Sequence, residues 1–193
     1  MTAAGVRSRD LAQPRLPLVS VGMVLFLGSE LLFFGALFAA YFVLRAAAPR
    51  WPPPGVELGL LEPAAFTAIL VASSGTMQLA VARVERGDVA GMVRWVWVTV
   101  ALGVVFLAGQ ALGYARATFD IASGPYGSAF YAMTGFHALH VLAGLLLMLV
   151  VLGRAAAGAY RGGEAAGVEA VAYYWHFVDV VWIGLFSTIY LVR

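Results

Sequence analysis

Cysteine and lysine are both absent from this 193-residue chain, and charged residues of either sign make up only 11% of it. Without cysteine there is neither a disulfide framework nor a thiolate metal site, and the redox compartment leaves no mark on the sequence. All twelve basic residues are arginine. Lysine would serve equally well at most membrane-flanking positions, so the choice reflects coding toward high G+C and points to a bacterial source. The arginines are scattered among connectors and form no patch, and the formal charge is only +2, which argues against a nucleic-acid partner. Also missing are a paired nucleophile and base, a phosphate-cradling loop, a zinc protease motif and an internal repeat of the transporter kind.

What is present is apolar surface. Hydrophobic residues supply 62% of the chain and the mean hydropathy is +0.89, well outside the range of a soluble globular domain. Five runs are long enough to cross a bilayer, which takes about 20 residues of helix: residues 18–44, 63–82, 93–114, 129–153 and 170–192. The connectors Arg50-Trp-Pro-Pro-Pro-Gly55, Glu85-Arg-Gly-Asp88, Ser123-Gly-Pro125 and Gly158-Ala-Tyr-Arg-Gly-Gly163 carry turn chemistry. The first run exceeds the about 7 to 15 apolar residues of a secretory signal, so it reads as a mature helix after a tail of residues 1–17. The expected fold is an all-α integral membrane protein, a bundle of five transmembrane helices over residues 18–193.

Arginine placement predicts the orientation. Arg7, Arg9, Arg15, Arg83, Arg86, Arg94, Arg154 and Arg161 fall on the side of the N-terminus, and Arg45, Arg50, Arg116 and Arg193 on the other. The excess places the N-terminal tail in the cytoplasm and the C-terminus outside. Trp51, Trp95, Tyr114, Tyr126 and Trp175, near span ends, suit the interfacial aromatic belt. Gly28, Gly35 and Ala39 in the first span, and Gly135, Ala143 and Gly144 in the fourth, predict close helix approach.

Five titratable side chains interrupt these spans: Glu30, His137, His140, His176 and Asp179. An ionisable group at the bilayer centre costs about 2.5–3.5 kcal/mol, so each marks a functional or partner-facing position. His137 and His140 are three apart, as are His176 and Asp179, and each pair shares a helix face. At 1.5 Å rise per residue, Glu30, His140 and Asp179 lie about 18, 20 and 13 Å from the inner ends of their spans. They are expected to meet in one polar pocket in the inner half of the bundle, where burial of charge demands pairing. Three readings of that cluster stand side by side: imidazole ligation of haem b or a divalent metal, proton handling, and an interhelical hydrogen-bond network.

The ordered words of the chain resemble subunit III of the haem-copper cytochrome c oxidases. Gly22-Met-Val-Leu-Phe-Leu-Gly-Ser-Glu30-Leu-Leu-Phe-Phe34 looks like that family's helix with an intramembrane glutamate after serine. Trp51-Pro-Pro53, Glu85-Arg-Gly-Asp88, Tyr126-Gly-Ser128, Thr134-Gly-Phe-His-Ala-Leu-His-Val141 and Tyr174-Trp-His-Phe-Val-Asp-Val-Val-Trp182 follow in the family's order. The last two blocks are the most specific. The resemblance implies an accessory, non-catalytic subunit with no redox centre, catalytic residue or metal ligand of its own, in a multi-pass arrangement in the bacterial cytoplasmic membrane. Haem and copper are then expected in subunit I, which reduces oxygen and pumps protons, with subunit II as a further partner. Subunit III of that family binds phospholipid and sustains proton uptake, and Glu30, His137, His140, His176 and Asp179 match its polar residues within the bundle. The alternatives are subunit III of a quinol oxidase and, from another class, a haem-binding membrane cytochrome. Two departures stand out. Longer members carry two more N-terminal helices enclosing a lipid-filled cleft, and where the family often has Gln-x-x-Glu-Tyr this chain has Gln110-Ala-Leu-Gly-Tyr114.

Overall fold

A computed structural model describes residues 18–56, 58–160 and 165–192; the tail expected over residues 1–17 lies outside them, as do Arg161 and Arg193. Five helices follow one another: α1 (Leu18–Ala47), α2 (Leu61–Glu85), α3 (Val89–Arg116), α4 (Pro125–Ala156) and α5 (Ala166–Phe186), the last widening into a π-helical end over Ser187–Leu191. All five are long and apolar enough to cross a membrane.

Helices α2 to α5 start earlier than their apolar runs, and at α3 a polar cap sets the boundary. Between α2 and α3 the turn takes three residues. Gly87, at φ 74°, closes α2 by donating to the Val84 carbonyl, while the Asp88 amide reaches back to Arg83, the double bond of a Schellman end. Asp88 then caps α3, its carboxylate accepting from the Gly91 amide at 2.7 Å with Arg83 alongside at 3.2 Å. That amide, together with Arg83, holds the Asp88 carboxyl below the usual carboxylate range. Gly124, at φ 98°, and Pro125 in the first turn open α4.

Helices α2, α3, α4 and α5 close into a ring, in which α2 packs on α3 and α5, and α4 on α3 and α5; α1 lies outside, against α4 and α5. The difference in cover is large. Only 6% of the apolar window of α1 is buried, against 56% for α5. The buried line on α1 runs through Phe34 and Tyr41.

At the centre of the ring sits Trp175 of α5, fully buried. Its indole N–H donates to Ser73 Oγ on α2 at 2.9 Å, and its ring lies against Gly144 on α4 and Gly103 on α3. A β-carbon at Gly144 would stand 2.7 Å from the ring, and one at Gly103 2.9 Å. One side chain thus touches every other helix of the ring. Trp175 is therefore not an interfacial anchor, and neither is Tyr126, which is buried against Trp51 and Phe119. Among the glycines expected at close contacts, Gly144 makes one, whereas Gly28 and Gly35 face open space and Gly135 has only the Tyr114 hydroxyl at 3.9 Å.

Candidate functional site

The five intramembrane titratable residues do not share a single pocket. Their hydrogen bonds and ring contacts divide them into three groups, each joining different helices.

Glu30 and His140 form the first group, linking α1 to α4. Glu30 Oε2 lies 2.9 Å from His140 Nε2, with both side chains mostly buried. The other ring nitrogen, Nδ1, is 2.7 Å from the Phe136 carbonyl one turn back. A carbonyl only accepts, so Nδ1 carries the hydrogen. A single further proton then fits between Nε2 and Oε2. The pair is either imidazolium with carboxylate or imidazole with carboxylic acid, and both forms have zero net charge. That neutrality is how two ionisable groups reside in a transmembrane bundle. The Tyr174 hydroxyl of α5 donates to the His140 carbonyl at 3.0 Å, so α5 braces the same level.

The second group links α2 to α5. The Ser74 hydroxyl donates to Asp179 Oδ2, and Ser74 Oγ lies 2.8 Å from His176 Nδ1. A hydroxyl has one hydrogen. With that hydrogen on Asp179, Nδ1 must be the donor to Ser74. The hydrogen bonds therefore run from His176 through Ser74 to Asp179, which leaves Ser74 poorly suited as a nucleophile because its proton faces the carboxylate and not the imidazole. Asp179 is buried, and its Oδ1 has no hydrogen-bond partner among the described residues. His176 Nε2 faces outward toward Gln78 Oε1 at 3.4 Å.

His137 makes up the third group alone. It is fully buried on α4, stacked on Trp182 of α5 at 4.8 Å and edge-on to Phe106 of α3 at 5.8 Å. Neither ring nitrogen has a hydrogen-bond partner among the described residues. Trp182 is itself held by its indole N–H, which donates to Thr67 Oγ1 on α2 at 2.9 Å. Phe106 and Trp182 also line a cavity of about 180 Å³ together with Phe66, Gly109 and Tyr114.

Sequence reasoning therefore brought Glu30 and His140 to one level, where they pair, but missed the hydroxyl partners on α2. Ser73, Ser74 and Thr67 were overlooked because small hydroxyl residues are common in transmembrane helices, where they bond to their own backbone as readily as to a neighbour. Their positions on a helix facing two histidine- and tryptophan-bearing turns were the available signal. No group of three or more His, Asp or Glu able to hold a metal ion occurs among the described residues.

Over residues 16–192 the chain matches the family described as Cytochrome c oxidase subunit III. A probable cytochrome c oxidase subunit 3 of Nocardia farcinica is 47% identical over 191 residues, covering 97% of this chain and 93% of the relative. The cytochrome c oxidase subunit 3 of Corynebacterium diphtheriae is 44% identical over 206 residues, covering 100% of both. That of Synechocystis is 46% identical over 172 residues, covering 88% of this chain and 74% of the relative.

Proposed function

The chain belongs to the cytochrome c oxidase subunit III family, and from that premise we propose that it is an accessory subunit without a redox centre, supporting a catalytic subunit I by packing. It is part of an oxidase complex whose other subunits, I and II, carry the haem and copper. Its polar intramembrane residues act as ties between helices, holding the bundle in the shape that subunit I requires for assembly and sustained proton uptake. The observation that carries this reading is the net-neutral Glu30–His140 pair, which joins α1 to α4 at 2.9 Å with both imidazole nitrogens engaged. A haem-binding cytochrome is less well supported, because His140 and His176 spend ring nitrogens on protein partners and His137 is walled by Phe106 and Trp182.

The names of the relatives favour cytochrome c over quinol as the electron donor of the complex. Bacterial relatives and the arginine distribution support a cytoplasmic-membrane subunit with its N-terminus inside. Reporter fusions should then place the turn at Gly87 in the cytoplasm and the C-terminus outside, and both on one side would refute the orientation. The apolar outer surface of α1, including the exposed Leu25, Leu32 and Val43, supports phospholipid contact.

Glu30→Gln separates a tie from a proton carrier. The amide still donates to His140 Nε2 but has no transferable proton. As a tie, the variant assembles normally and the complex keeps its oxygen-reduction rate and proton yield. Normal assembly with slowed turnover or lowered proton yield would assign the pair to proton handling instead.

A further inference from the structure

At the end of the bundle where α2 begins and α3 ends, the ring of helices is not filled. A cavity of about 180 Å³ lies there, in an interior where voids larger than a water molecule are few. Each helix of the ring contributes an aromatic side chain to its wall: Phe66 from α2, Phe106 from α3, Phe130 from α4 and Trp182 from α5. Two glycines one turn apart on α3 show where the space opens. A β-carbon at Gly109 would stand 2.5 Å from the Phe66 ring, whereas one at Gly113 would meet nothing within 4 Å. Gly59 and Arg116, both exposed, mark the mouth. Phe106 lies about 15 Å further down α3 at 1.5 Å per residue.

The polar groups on the wall select among occupants. Arg116 is spent on both carboxylate oxygens of Glu62, at 2.9 and 3.2 Å, so the mouth offers no free charge to an ion. Further in, Gln110 is half-buried and makes no hydrogen bond among the described residues. One turn on, the Tyr114 hydroxyl is 2.7 Å from Thr134 Oγ1, which itself donates to the Phe130 carbonyl at 2.6 Å. Each hydroxyl has one hydrogen, so that of Tyr114 goes to Thr134 and its oxygen is left as an acceptor. The α3 wall therefore presents an amide donor and a phenolic acceptor on neighbouring positions of one face. A hydroxyl group answers both, since it accepts from one and donates to the other; a carbonyl answers only the amide. An acyl chain would fill the floor and answer neither. An apolar cavity of about 150 Å³ holds benzene, so the space suits one ring or a small fused pair, among rings that offer the edge and face contacts aromatics prefer.

We propose that this cavity binds a neutral hydroxyaromatic molecule, with its ring among Phe66, Phe106, Phe130 and Trp182 and its hydroxyl between Gln110 and Tyr114. The site is separate from the three polar groups that tie the helices and does not depend on the accessory role.

The test uses the intact complex and a phenol bearing a photoactivatable diazirine, with naphthol as competitor and adducts mapped by mass spectrometry. Adducts should fall around Phe66, Gly113 and Trp182, and naphthol should suppress them at lower concentration than naphthalene does. Gly113→Leu fills the space and should abolish this labelling. Gly75→Leu, which also meets nothing at its β-carbon but lies outside the cavity, should leave labelling unchanged. If Gly113→Leu fails to assemble, Gly113→Ala takes up part of the space and should reduce labelling in proportion. In Gln110→Leu the naphthol concentration that halves labelling should rise about fivefold, the factor of one net hydrogen bond, while that of naphthalene stays the same. Labelling that is spread over α1, persists in both Gly113 variants, or responds to naphthol equally with and without Gln110 would overturn the proposal. So would a phospholipid that remains at these residues and is not displaced by naphthol.

Discussion

Replacing Gly144 by alanine adds one methyl group at the most crowded place in the ring. Its β-carbon would stand 2.7 Å from Trp175 Cε3 and 2.9 Å from Cζ3. To reach the 3.4 Å at which ordinary contact begins, the indole must move by about 0.7 Å, a shift that a packed interior resists. It has little room to do so. Its far edge already abuts Gly103, and its N–H is fixed to Ser73 at 2.9 Å. Overpacking of this kind costs about 1–3 kcal/mol, and a rigid, fully buried ring belongs toward the upper end. Alanine recovers up to about 1 kcal/mol of helix propensity over glycine, so the net destabilisation should be about 1–2 kcal/mol. For a chain of this length, that corresponds to a fall of about 2–8 °C in Tm. Gly135→Ala is the matched control on the same helix. Its β-carbon would meet only the Tyr114 hydroxyl at 3.9 Å, and the propensity gain should leave it neutral or slightly more stable. Thermal unfolding of both variants in the same detergent, followed by tryptophan fluorescence, decides the matter. If Gly144→Ala melts at or above Gly135→Ala, Trp175 is not the wedge that the geometry makes it.

The α2–α5 link should depend on Ser74 more than its size suggests. Ser74→Ala removes the partner of both His176 and Asp179 and should weaken retention of the subunit in the complex, since each buried group left unpaired costs about 1–3 kcal/mol. By the same reasoning Asp179→Ala should weaken retention more than Asp179→Asn, and equal retention of the two would show that the bond to Ser74 contributes little. At the α2–α3 turn, the lowered carboxyl of Asp88 means that its cap is fully present above the unfolded value and lost as pH falls through the lower folded one. Amide-exchange protection at Gly91 should therefore drop below about pH 4, where free aspartate titrates, and Asp88→Asn should remove that pH dependence; an unchanged profile in Asp88→Asn would refute the assignment.

Depth along each span is legible in a sequence, whereas angular position around a bundle is not. The rise per residue put Glu30 and His140 at nearly the same level, and they meet at 2.9 Å. It said nothing about which neighbour His176 and Asp179 would face, and they face Ser74 on α2. Three residues advance a helix by most of a full turn, so His137 and His140 share a broad face, yet one is stacked on Trp182 and the other is paired with Glu30. The five spans were visible in hydropathy because nothing else keeps such runs together. The ends were not, because Asp88, Gly124 and Gly158 set them through local hydrogen bonds and positive φ. Trp175 was misplaced for a related reason. It sits only ten positions into the helix that begins at Ala166, so it looked close to an interface, and only the ring of α2, α3 and α4 closing around it makes it the core.

If this chain contributes packing to an oxidase whose redox centres lie elsewhere, chain and chromophores should be separable. Purifying the native complex through a tag on this chain, then stripping the chain away and recording reduced-minus-oxidised optical spectra of both fractions, tests that directly. The haem and copper signals should stay with the other subunits, and the isolated chain should show no Soret band. A stoichiometric Soret band on the isolated chain that shifts on reduction, and disappears in His137→Ala or His140→Ala, would contradict the accessory role.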